Sequence, residues 1–115
     1  MRLLLNEIKL NPYFTLREFQ SPDTLEVMVH PELLTKLTQL RMDLGVPVKI
    51  TSGYRTEAHN EAVGGVKHSK HRSGRAADFV VPVAAHHLCM ELMNSIGWSY
   101  WYYNSDKQYF HAQVG

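Results

Sequence analysis

The chain has 115 residues, 44% of them hydrophobic and 20% charged, with a net charge of +1 when the histidines are neutral. This length and balance describe one globular domain, residues 1–115, not a disordered segment, and the near-neutral charge gives no electrostatic ground for nucleic acid or a membrane as partner. Cys89 is the one cysteine, which excludes a disulfide framework or a cysteine metal cluster, and no apolar run reaches transmembrane length.

The start, Met1 to Leu5, is apolar but gives way at once to Asn6, Glu7 and Lys9. That is too short for a secretory signal, so synthesis in the cytoplasm is expected. Residues 1–14 read as an extended arm. Thr15 and Glu18 have the spacing of a capping box and predict a short helix over 15–19. Ser21-Pro22-Asp23 is a turn. Pro31 and Glu32 open the clearest helix, with Leu33, Leu37, Leu40 and Leu44 on one face and Gly45 and Pro47 as its stop. His30 reads as a turn residue.

Val48 to Thr51 alternates as a strand, and Ser52-Gly53-Tyr54-Arg55 turns out of it. A short helix over 56–63 ends at Gly64-Gly65. A polar arm follows, then the apolar run Ala76 to Val81, closed by Pro82. A helix over 84–96 carries Leu88, Leu92 and Ile96 and stops at Gly97; its His86 and His87 read as surface residues and Cys89 as a small core residue. Residues 98–103 are aromatic and β-prone, Asn104 to Lys107 is a turn, and 109–114 completes a hairpin.

The chemistry gathers at Ser69-Lys70-His71-Arg72-Ser73-Gly74-Arg75-Ala76-Ala77-Asp78. A carboxylate inside a buried strand is costly unless it is paired or ligates a metal. Alternation puts Ala77, Phe79 and Val81 on one face, and Asp78 on the other. In the last strand Phe110, Ala112 and Val114 share a face, and His111 points away with Tyr109 and Gln113. Asp78 and His111 can therefore project from one face of a sheet, with His71 folding over them from the arm. Two histidines and a carboxylate make the ligand set of a catalytic zinc, with a fourth position for water. The alternatives are that Asp78 caps a turn and that His111 is an ordinary strand histidine. Arg55 is either a solvated charge or a clamp for a substrate carboxylate.

Ser52-Gly53-Tyr54-Arg55, Asn60, Val63-Gly64-Gly65, Ser69-Lys70-His71, Gly74, Ala76 and Asp78 together resemble the zinc D-Ala-D-Ala carboxypeptidase family, which includes L-alanoyl-D-glutamate endopeptidases of bacteria and phages. Phe14 to Phe19 and Gly45-Val46-Pro47 are similar to its short, phage-like members. The resemblance implies the hedgehog/DD-peptidase fold, a single metallopeptidase-like domain of the α+β class: a small antiparallel sheet with helices on one face and zinc on the other. It implies zinc ligands at His71, Asp78 and His111, and substrate-positioning roles for Arg55 and Ser69.

Two positions depart from the family pattern. Family enzymes often place their acidic base three residues before the last zinc histidine, where this chain has Gln108, and an amide cannot take a proton from water. The nearest acid is Asp106, expected to serve as base from the preceding turn. Short members often have an aspartate two residues after that histidine, where this chain has Gln113. The expected function is zinc-dependent hydrolysis of an amide of the peptidoglycan stem peptide, of D,D-carboxypeptidase or L,D-endopeptidase type, by a monomer acting on the cell wall. The other reading is a zinc-binding wall-recognition module, or a phage structural or assembly protein, without hydrolysis.

Overall fold

The computed structural model describes residues 5–115; residues 1–4, with most of the apolar start and the beginning of the expected arm, lie outside the described residues. From there on the arm is folded. Leu5–Glu7 form a 3-10 turn, and Asn11 reverses the chain because its Oδ1 accepts from the backbone N–H groups of Tyr13 and Phe14 at 2.9 and 3.0 Å. Lys9 thereby bridges to Thr15. The capping box forms, with the Glu18 carboxylate accepting from the Thr15 backbone N–H at 2.7 Å, but the element it caps is a 3-10 turn, Leu16–Phe19.

Helix α1 runs Pro31–Leu44 and buries Leu33, Leu37, Leu40 and Leu44, as the spacing predicts; Gly45, at φ 72°, closes it. Its N-cap is His30, whose Nδ1 accepts from the Glu32 N–H at 3.1 Å, so this histidine has a local role that the turn reading missed. Strand β1 is Lys49–Ser52, helix α2 is Glu57–Ala62 and strand β2 is Ala76–Val80. Helix α3, His86–Ile96, starts two residues later than expected, after a 3-10 turn at Val83–Ala85. It is also rotated from the expected face. Cys89 and Met93 are buried, Leu92 and Ile96 flank them, and Leu88 is exposed. His86 is half-buried, its ring edge-on to Tyr103 and Phe110 at 5.3 and 5.7 Å, so it is a packing residue, whereas His87 is on the surface. Lys36 of α1 donates to the last carbonyls of α3, at Ile96 and Gly97, and opposes that helix's negative end.

Strands β3 (Tyr100–Asn104) and β4 (Tyr109–Gln113) form the hairpin. The four strands make one antiparallel sheet in the order β1-β2-β4-β3. Register decides what each face carries. Phe79 pairs with Phe110 and Ala77 with Ala112. These residues join the leucines of α1 and Met93 of α3 in one hydrophobic cluster. Asp78 pairs with His111, and His111 with Tyr102, on the opposite face. The α+β architecture with helices on one face of the sheet and Asp78 and His111 on the other is therefore present. The short helix α2 alone approaches the ligand side, through Asn60. Among the described residues no helix is long and apolar enough to cross a membrane.

A bulge in β1 shifts its register between Ile50 and Ser52, so Ile50 faces Phe79 in the core while Ser52 lies opposite Asp78. The chain then passes tightly under the Leu16–Phe19 turn. A methyl on Gly53 would lie 2.6 Å from the Phe19 Cα and 2.8 Å from its carbonyl oxygen. Gly53→Ala should therefore lower stability by about 1–3 kcal/mol, the usual cost of overpacking against backbone. Urea unfolding measures this, and an unchanged midpoint would show that the contact yields freely.

Candidate metal centre

His71 lies on a rigid turn, and not on the flexible arm that its sequence suggested. Lys70–Ser73 form one 3-10 turn; Ser69 caps it, its Oγ accepting from the His71 N–H at 3.2 Å, and Gly74 ends it at φ 69°. Gly74 is required twice, since its φ is left-handed and a Cβ there would meet the Met28 carbonyl at 2.6 Å. The His71 carbonyl accepts from the Arg55 N–H at 3.0 Å, tying the turn to the segment after β1. The residue is only 2% exposed.

The structure brings His71, Asp78 and His111 together: one ligand atom from each lies within 4.8 Å of the others. Hydrogen bonding fixes how the rings point. His71 Nδ1 lies 2.7 Å from the Gly53 carbonyl oxygen, and Nε2 lies 3.2 Å from Asp78 Oδ1. His111 Nε2 lies 2.9 Å from Gln113 Oε1, and Nδ1 lies 2.8 Å from the same Asp78 oxygen. All four ring nitrogens thus face oxygen acceptors, but a neutral imidazole has only one N–H. With the outer N–H groups given to Gly53 and Gln113, two nitrogen lone pairs converge on one carboxylate oxygen. Only protons or a cation between them make that arrangement favourable. The donor set, two neutral imidazoles and a carboxylate with their outer nitrogens anchored, fits a metal ion.

Asp78 is held from its other side by Arg55, whose Nη2 donates to Oδ2 at 3.1 Å. Arg55 is itself fixed. Its Nε donates to Ser52 Oγ at 3.1 Å and its Nη1 to Asn60 Oδ1 at 3.3 Å. Gly65 makes room for this, because a Cβ there would sit 2.1 Å from Asn60 Oδ1. Arg55 is accordingly not a solvated charge; its side chain is 14% exposed and holds the Asp78 carboxylate. Three of the five guanidinium N–H groups are engaged in this way, and two are not taken by these partners.

The cluster forms part of the lining of a cavity of about 520 Å³, with Arg55, Ser69, Lys70, Tyr102 and Lys107 also on its walls. Tyr102 stacks on His111, with ring centroids 4.9 Å apart, and its hydroxyl lies 3.3 Å from that of Tyr109. Burial pushes the Tyr102 phenol up, as do the Tyr109 hydroxyl and the Asp78 charge, so it remains protonated across the neutral range. Among the described residues Asp78 is the only carboxylate on the cavity wall. Asp106 is exposed in the β3–β4 turn and is not brought to the cluster, and Gln108 also lies off the wall; from that turn it is Lys107 that reaches the cavity. Gln108 adopts φ 57°, a left-handed residue that ends the turn, so strand alternation does not extend back from His111 to it.

The sequence reading missed Gly53, Asn60, Gln113 and Tyr102 as supports of the cluster. For Gln113 the signal was present, because residues i and i+2 of a strand share a face. The carbonyl of Gly53 and the Asn60 contact depend on packing between distant segments and leave no local mark.

Burial alone would raise the Asp78 carboxyl above its ordinary 3.8, but hydrogen bonds and charge from His111 and His71 outweigh it and hold the group at about 2. A carboxyl held below its unfolded value contributes stability at pH above that value, and the contribution is lost as pH falls through the folded one. Metal-free protein should therefore lose stability between about pH 4 and pH 2, and Asp78→Asn should flatten that acid limb. Thermal melts of the two proteins across this range provide the measurement; parallel curves would show that Asp78 is not stabilised by its ring partners.

Comparison with curated proteins gives no match. A family model described as Peptidase M15 matches residues 4–112, nearly the whole chain. The match contains the turn with His71, the strand with Asp78 and the strand with His111, and the geometry of these residues fits a metal site. The chain belongs to the peptidase M15 family, a family of zinc metallopeptidases.

Proposed function

We propose that the protein is a zinc peptidase that hydrolyses an amide of the peptidoglycan stem peptide, as a D,D-carboxypeptidase or an L,D-endopeptidase. The observation that carries this reading is the convergence of His71, Asp78 and His111, with anchored outer nitrogens, on the wall of an open cavity in a peptidase-family chain. His71 through Nε2, His111 through Nδ1 and Asp78 through Oδ1 would hold the ion. Zinc at such a site supplies Lewis acidity, activating water as a nucleophile and polarising a carbonyl.

The chain's own groups then position the peptide. Arg55, Lys70 and Lys107 are cations on a wall where, among the described residues, the only acid is Asp78, a balance that suits a substrate bearing carboxylates. The guanidinium N–H groups of Arg55 left over from Asp78, Ser52 and Asn60 can receive one carboxylate. Ser69 caps the His71 turn and also faces the cavity, so it supports a ligand and borders the substrate at once. Asp106 accepts the proton of the attacking water on this reading. The turn that carries it borders the cavity through Lys107, and this reading requires the turn to close over a bound peptide.

A second reading, a zinc-binding wall-recognition module without hydrolysis, is favoured by one observation: among the described residues no carboxylate other than Asp78 lines the cavity. Zinc analysis and muropeptide digestion separate the two. The parent should hold one zinc per chain and release a peptide fragment or terminal residue, and His71→Ala should lose both properties. Asp106→Asn should keep zinc and lose about 10²–10⁴ in rate, the usual worth of a general base. Equal rates would remove Asp106 from the mechanism, and a zinc-loaded parent that cleaves no muropeptide establishes the recognition module.

A further inference from the structure

Amide hydrolysis needs a hydrogen-bond donor where the carbonyl oxygen gains charge, as well as a nucleophile. Arg55 is engaged with Asp78, Ser52 and Asn60, and its remaining N–H groups suit a carboxylate. Lys70 and Lys107 are point charges on flexible stems. Among the described residues of the cavity wall, the neutral O–H groups are those of Ser69, Tyr100, Tyr102 and Tyr109. Ser69 is occupied in capping the His71 turn, and Tyr100 is 56% exposed. Tyr102 and Tyr109 form a pair, their hydroxyl oxygens 3.3 Å apart. Two hydroxyls carry two O–H groups and share one hydrogen bond, so one O–H of the pair is left to donate elsewhere.

Resting on the hydrolytic reading above, we propose that Tyr102 is a further catalytic residue: its hydroxyl, held by Tyr109, donates a hydrogen bond to the substrate carbonyl oxygen as that oxygen takes on negative charge. The ring is fixed beside the cluster. Tyr102 lies opposite His111 in the β3–β4 ladder and stacks on its ring, with centroids 4.9 Å apart and planes 18° from parallel. Tyr109 meets it edge-on at 6.2 Å, and Tyr100 flanks it at 5.7 Å. A donor placed in advance needs no rearrangement when charge develops, which is the source of its effect on rate. With Tyr109 donating to the Tyr102 oxygen, the Tyr102 O–H is both free and polarised by the bond it receives. The bonding changes balance with the phenol proton staying on Tyr102. Water adds to the carbonyl carbon, the base takes the water proton, and the carbonyl π pair moves onto the oxygen that Tyr102 faces. When the C=O bond re-forms, the C–N bond breaks, and the departing nitrogen takes the proton from the base.

The test compares the zinc-loaded parent with Tyr102→Phe and Tyr109→Phe, both of which keep the ring and its stacking. Tyr102→Phe should keep its zinc content and KM and lose about 10²–10³ in kcat, the usual effect of removing one such donor; a loss in kcat at constant KM marks an interaction made in the transition state alone. Tyr109→Phe should lose less, because the donor remains and only its support is gone. Calorimetry supplies a readout besides activity. A stem-peptide phosphinate, tetrahedral and anionic at the reacting centre, should bind Tyr102→Phe more weakly than the parent. A reduced-amide peptide, which has no carbonyl oxygen, should bind both equally. An unchanged kcat in Tyr102→Phe, a loss that accompanies weaker zinc binding, or a larger loss in Tyr109→Phe overturns the assignment. Equal phosphinate affinity in parent and Tyr102→Phe also overturns it. A zinc-loaded parent that cleaves no muropeptide overturns this inference together with the hydrolytic reading, whereas an active parent indifferent to Tyr102 overturns this inference alone.

Discussion

A carboxylate stands in the middle of a strand buried on nearly every side, and the polar half of the molecule exists to satisfy it. Asp78 has two oxygens and each is assigned. Oδ2 receives Arg55, and Oδ1 faces both imidazoles. Removing such a charge from water costs several kcal/mol unless partners replace the hydration. The partners come from four separate segments: the turn after β1, the 3-10 turn at Lys70–Ser73, β4, and through Asn60 also α2. Each must therefore be placed before the carboxylate is stable, which makes the site a condition of the fold as well as its product.

The opposite face of the same strand sets the precision of that arrangement. Phe79 stacks on Phe110 at 5.4 Å with the rings nearly parallel, directly beside the Asp78–His111 pair in the ladder. A one-residue slip of either strand would put its aromatic, Phe79 or Phe110, on the polar face and its site residue, Asp78 or His111, in the core. Hydrophobic burial and ligand convergence thus select the same register. The bulge in β1 extends the agreement, since it keeps Ile50 inside while aiming Ser52 and the following Arg55 at the carboxylate.

What was legible in the sequence was whatever alternation and end signals encode. Leu33, Leu37, Leu40 and Leu44 fixed the face of α1, and the parity of Asp78 and His111 put both on one face of the sheet. What was illegible depended on distant packing. His71 belongs to a stiff turn because Gly74 fits against Met28 and the Arg55 backbone binds its carbonyl, neither of which a local window contains. Leu88 has the spacing of a core residue, yet Cys89 and Met93 are the ones buried, because docking against α1 decides the rotation of α3. Asp106 could be numbered as the nearest acid, but its direction depends on a turn whose last residue, Gln108, takes a left-handed conformation.

The sheet order also bears on when the centre comes into being. In the order β1-β2-β4-β3, the last strand to be synthesised lies inside the sheet, between two strands made earlier. While the chain emerges from the ribosome, β2 has no neighbour on that side and Asp78 lacks His111. The nascent protein can form α1, the leucine face and the turn with His71, but it cannot assemble three ligands until β4 has left the exit tunnel and slid into place. A half-made chain therefore lacks the complete set of His71, Asp78 and His111, and an ion held by all three can enter only after β4 has been made.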